Sequence, residues 1–156
     1  MDRRNWTYEE TLVAFNLYCK IPFNESSRVH PLIIEYANLL GRSPSALNMK
    51  IGNLGRFDPE LKSRGISGLS NGSKVEKEVW NDFMGNWEEF AYKSELIIEK
   101  LRKSTLDNIS SENMENQDDC YVGYEKVRNI KSRVNQRFFR ETVLSAYGIS
   151  CAITNM

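Results

Sequence analysis

Residues 31–54, PLIIEYANLLGRSPSALNMKIGNL, carry the pattern that sets the fold. Leu32, Ile33, Tyr36, Ala37, Leu39 and Leu40 recur at helical spacing, and Pro31 suits a first helical turn, where no backbone N–H is needed. Gly41 is the natural stop, because a helix commonly ends in a left-handed residue that only glycine adopts without strain. Ser43 then has the side chain of an N-cap and Pro44 again fits a first turn. Leu47, Ile51 and Leu54 follow at i, i+4 and i+7. This spacing leaves Ser45, Asn48, Asn53 and the head of Lys50 on or near the outer face.

A helix should precede this pair. Thr7-Tyr8-Glu9-Glu10 has the form of a capping box, and an apolar run from Leu12 to Cys19 follows before Pro22 closes it. Beyond the pair, RFDPELKSRGISGLSNGS reads as a long loop punctuated by proline and glycine. Ser73-Lys74-Val75-Glu76 has the form of a second capping box. It opens a helical stretch to Leu101, one helix or two, with Gly85 as hinge or break. Residues 104–119 hold five acidic side chains and no Lys or Arg, and read as a linker. YVGYEKVRNIKSRV, rich in aromatic and β-branched residues, suggests an extended segment or a hairpin. A helix capped by Asn135 and stopped by Gly148 follows, then a strand, CAIT, at 151–154. The expectation is a mainly α chain. A three-helix unit of helix-turn-helix or Myb/SANT type and one or two long helices fill 1–103, an acidic linker fills 104–120, and an α+β unit begins over 121–156.

The 156 residues carry 21 basic and 21 acidic side chains, so net charge names no partner. The distribution says more: residues 121–147 hold six basic groups against two acidic ones. Three scattered cysteines match no zinc or redox spacing and suggest reduced thiols in a cytoplasmic protein. No run of about 18 apolar residues is present to span a membrane.

A short third helix bearing amides suits a DNA major groove, where an Asn side chain can make paired hydrogen bonds to adenine. The candidate contacts are Arg42, Ser45, Asn48, Lys50, Asn53 and Arg56, with Arg137 and Arg140 near the backbone. Trp80, Phe83, Trp87 and Phe90 could form a stacking platform for a base, but their helical spacing favours a packed core. His30 beside Pro31 suits a helix N-terminus. Glu88–Glu89 and Asp118–Asp119 could hold Mg²⁺ in principle, although solvated surface charge explains them as well.

Four blocks, WTYEETLVAFNLYCKIPF, PLIIEYANLLGRSPSALNMKIGNLGRFDPE, GISGLSNGSKVEKEVWNDFMGNWEEF and SRVNQRFFRETVLSAYGISCAIT, resemble in order and spacing the bacterial HNH endonucleases of restriction-enzyme type. The resemblance implies a helical N-terminal region ahead of an HNH nuclease domain that begins near Arg133. In that family a general-base histidine and a ββα-metal finger holding one divalent ion follow the CAIT strand. This sequence ends first, so the resemblance transfers no catalytic residue and no metal ligand, and the chain alone is expected to be an inactive, truncated copy or fragment. Asn135 and Asn155 stand where the family often has glycine. The expected function is the DNA-binding part of a restriction or defence endonuclease whose complete form hydrolyses phosphodiesters with a divalent metal ion. Its partners would be double-stranded DNA and a second copy in a homodimer. The alternatives are a non-catalytic DNA-binding module or regulator, or a helical protein-interaction domain.

Overall fold

The computed structural model describes residues 4–68, 72–109 and 124–147, with side chains except those of 104–109 and 124–127. The protein is mainly α, and no strand occurs among the described residues. The helices are α1 (Tyr8–Lys20), α2 (Pro31–Leu40), α3 (Pro44–Leu54), α4 (Pro59–Ser63), α5 (Lys74–Gly85), α6 (Trp87–Ile109) and α7 (Tyr124–Tyr147).

Local chemistry starts and stops these helices. Thr7 Oγ1 accepts from Glu10 N at 3.1 Å while Glu10 Oε2 accepts from Thr7 N at 3.0 Å, so α1 opens on a reciprocal capping box. His30 Nδ1 caps α2 by accepting from Leu32 N at 3.2 Å, and Ser43 Oγ caps α3 by accepting from Ala46 N at 3.2 Å. Gly41, at φ 60°, ends α2, and Arg42 N donates to Ala37 O at 2.9 Å across the turn. Two residues, Arg42 and Ser43, then carry the chain into α3.

Four expectations change, and one open choice, a single helix or two about Gly85, is decided. The stretch read as a long loop contains α4, because Asp58 Oδ1 accepts from Glu60 N at 2.9 Å and Pro59 pre-sets the first turn. Ser73 caps α5, but Glu76 does not reach back to it; that carboxylate is buried among cations instead. Of the segment read as extended or a hairpin, Tyr124 onward is helical, so Asn135 lies inside α7 rather than at its N-cap. Its Glu, Lys and Arg side chains are good helix formers and outweigh a modest β preference there. The helical stretch is two helices that break at Gly85, and Asn86 Oδ1 caps the second by accepting from Glu89 N at 3.1 Å. Finally, α6 runs on to Ile109, so the first residues assigned to the acidic linker are helical. The rest of that linker, 110–120, and the expected strand at 151–154 lie outside the described residues.

The helices share one core built around α1, which packs against α3, α5, α6 and α7. Phe15 is its centre. The rings of Phe83, Phe90 and Trp80 meet it edge-on at 5.0, 5.1 and 5.3 Å, and Tyr18 stacks on it at 5.6 Å. Each such pair adds roughly 0.5–1.5 kcal/mol beyond the area it buries. Three members of the aromatic stripe are therefore core, and Phe138 of α7 enters the same cluster. Trp87 does not; it sits half in solvent against Phe139.

Candidate nucleic-acid interface

The α2–turn–α3 unit is seated on α1, and α3 directs Leu47, Ile51 and Leu54 into the core. Its opposite side carries Ser45 and Met49 in the open and Asn48, Gly52 and Asn53 half-buried. Asn48, Met49, Gly52 and Asn53 floor a groove of about 540 Å³, walled by Phe23 and by Ile66–Gly68. Asn48 Oδ1 accepts from Ser26 Oγ at 2.8 Å, which fixes that amide and leaves its NH₂ group as a donor. No heavy atom lies within 4 Å of where a Gly52 Cβ would stand, while Gly68 packs against the Gly52 carbonyl and Asn53 Cα.

The cations expected beside this face are committed elsewhere. Lys50, placed near the outer face by the sequence, is buried and pairs with Glu76 at 2.6 Å. The reason is positional: Lys50 stands three residues after Leu47 and four before Leu54, on the inward stripe itself. Arg56 adds Nη2 to the same carboxylate at 3.2 Å, and its guanidinium lies 4.4 Å from the Phe57 ring centre. Arg42 is a structural clamp. It donates to Glu10 at 2.7 and 3.2 Å and to the carbonyls of Arg4 and Asn5 at 2.9 Å each, and lies 4.5 Å from the Trp6 ring centre. Burial pushes the Glu10 carboxyl up, but the Arg42 bond, the Thr7 N–H and the charges of Arg42 and Arg4 outweigh it and hold it below the ordinary glutamate range.

Two cations that sequence reading missed are better placed. Arg28 is exposed two residues beyond Ser26, the partner of Asn48, and Arg64 is exposed two residues before Ile66 of the groove wall. Glu25 and Glu60 are exposed nearby in the chain, so the charge around the groove is mixed. A second cationic row runs along α7, where Arg133, Arg137 and Arg140 fall at i, i+4 and i+7 and all three are exposed. Arg137 also touches Glu95 at 3.1 Å.

Beneath that row lies a buried polar hub. Glu95 of α6 is contacted by Lys20 of α1, by Asn16 Nδ2 at 3.0 Å and by Arg137 of α7, while Lys20 also meets Glu141 at 3.0 Å. Burial pushes the Glu95 carboxyl up, yet the charge and hydrogen bond of Lys20, with Asn16 and Arg137, hold it below the ordinary range.

Among the described residues no three His, Cys, Asp or Glu side chains gather to hold a metal ion. Glu89 pairs with Lys131 at 2.5 Å, Asp118–Asp119 lies outside the described residues, and the single histidine is a helix cap. No helix in the described residues is long and apolar enough to cross a membrane. No family model matches the chain, and neither a curated protein nor a solved structure matches it.

Proposed function

We propose that this chain binds double-stranded DNA through the α2–α3 unit, as the recognition part of an HNH-type restriction or defence endonuclease. The observation that carries the reading is the outer face of α3. It holds two amide side chains flanking Gly52, which leaves room beside them, on a helix braced by two others through a tight turn. Such a helix can enter the major groove, where Asn48 and Asn53 meet base edges and Ser45 lies at the leading end. The phosphate contacts fall to Arg28, Arg64 and the α7 row of Arg133, Arg137 and Arg140. Arg42, Lys50 and Arg56 hold the bundle together instead. The role assigned to the described residues is recognition.

The reading is tested by binding a DNA duplex in fluorescence anisotropy over a salt series. Arg64→Ala should weaken binding to every sequence and lower the salt slope by about one, whereas Asn53→Ala should relax sequence preference by about 1–3 kcal/mol. Duplex affinity that is absent, or indifferent to salt, ends the proposal. A homodimer is the second reading, favoured by the exposed apolar end of α7 at Val143, Leu144 and Tyr147. Sedimentation of Leu144→Glu against the native chain decides it, since a dimer built there should dissociate.

A further inference from the structure

A groove of about 490 Å³ lies between the start of α6 and the outer side of α7. Trp87 and Phe139 form one wall, with ring centres 5.9 Å apart and planes at 42°. They remain 37% and 57% exposed although each is large and apolar. Asn135 also lines this groove. It is more than nine-tenths buried, and its Oδ1 has no hydrogen-bond partner among the described residues. That oxygen is closed to solvent and is no contact for a ligand in the groove. Gln136 and the exposed Arg128 border the same space. Glu88 borders it too, and Lys131 is already paired to Glu89, so among the described residues that line the groove Arg128 is the cation left for an anionic ligand.

We infer that this groove holds one unpaired nucleobase of a single-stranded nucleic acid, stacked on Trp87 and Phe139. Exposed aromatic faces and a nearby guanidinium correspond to two parts of a nucleotide, the π-face and the phosphate. The two rings already touch, so the base lies against their outer surfaces and not between them. Arg128 meets the flanking phosphate. The site is distinct from the α3 face, and the two fail independently.

The experiment is anisotropy of the full chain with oligodeoxycytidine, oligodeoxyadenosine and oligothymidine single strands and with a duplex of equal length. The native chain should bind all three single strands, because stacking on aromatic faces tolerates every base. Trp87→Ala and Phe139→Ala should each lower single-strand affinity about 10-fold while leaving duplex affinity and the salt slope unchanged. Trp87→Phe keeps a ring and should recover most of the loss, which separates stacking from any failure to fold. Arg128→Ala should lower the single-strand salt slope by about 0.7. Equal single-strand affinity for native and Trp87→Ala chains overturns the inference. So does a Trp87→Ala loss that appears equally with the duplex. Duplex binding that fails in the native chain while single strands still bind refutes only the α3 reading.

Discussion

Lys50 is where the sequence and the fold disagree most, and the disagreement is measurable. On an outer face, Lys50→Met would cost almost nothing in stability and would weaken DNA binding. In this fold Lys50 is 6% exposed, Glu76 is 1% exposed, and Arg56 approaches the same carboxylate. Removing the shared anion with Glu76→Gln strands two cations, and breaking a buried pair from one side costs about 3–5 kcal/mol. Lys50→Met leaves Glu76 with Arg56, so the expected loss is that of one charge-assisted hydrogen bond, about 1.5–3 kcal/mol. At about 2–4 °C per kcal/mol for a chain of this size, Glu76→Gln should lower Tm by roughly 6–20 °C and Lys50→Met by roughly 3–12 °C. The two changes together should cost less than their sum, because Arg56 reaches solvent through its partly exposed side chain. Urea denaturation followed by tryptophan fluorescence gives the three values. A Lys50→Met chain with native stability and reduced DNA affinity would show that the ammonium faces solvent after all.

Three further outcomes are expected. The Glu95 carboxyl titrates below its unfolded value, so its stabilisation is present at neutral pH and is lost as pH falls beneath about 4.3. Glu95→Gln should therefore flatten the acid limb of a stability–pH profile, and an unchanged limb would place the acid sensitivity elsewhere. Gly41→Ala should cost about 1–2 kcal/mol from torsion alone, since the nearest side-chain atom to the new Cβ is 4.0 Å away. Gly41→Asn, which tolerates the left-handed region, should cost less, as thermal melts of the two will show. Burial pushes the Cys19 thiol up to about 12, with Lys20 opposing and Asp58 adding to the rise. Labelling of Cys19, read by peptide mass, should be at least about 100-fold slower in the native chain than in urea at the same pH.

The helices were legible where local chemistry writes them. Thr7 with Glu10, Pro31, Gly41 and Ser43 each act on neighbours within four residues, and the structure uses all of them in the same places. Asp58-Pro59 carries an equally local signal for α4, masked by the glycines that follow. What could not be read was pairing between helices. Lys50, Glu76, Asn16 and Glu95 each occupy an inward stripe, and a charged or amide group at such a position reads as an exception until its partner is known. The signal was nonetheless present: cations and anions stood on the apolar faces of different helices and had to meet. The α3 amides kept their expected side because helical phase alone fixes it. Arg28 and Arg64 were missed because they lie in or at the edge of loops whose course only the packed chain defines.

The hub at Glu95 has a consequence for how α7 sits. A helix held by an oily seam alone can roll or slide by part of a turn at little cost, since one aliphatic contact resembles the next. Here Arg137 and Glu141 address partners on two other helices. A rotation would loosen the hold of these two partly exposed side chains on the buried Lys20–Glu95 pair. The polar inlay thus favours one azimuth for α7, and with it one bearing between the arginine row and the Trp87–Phe139 ledge.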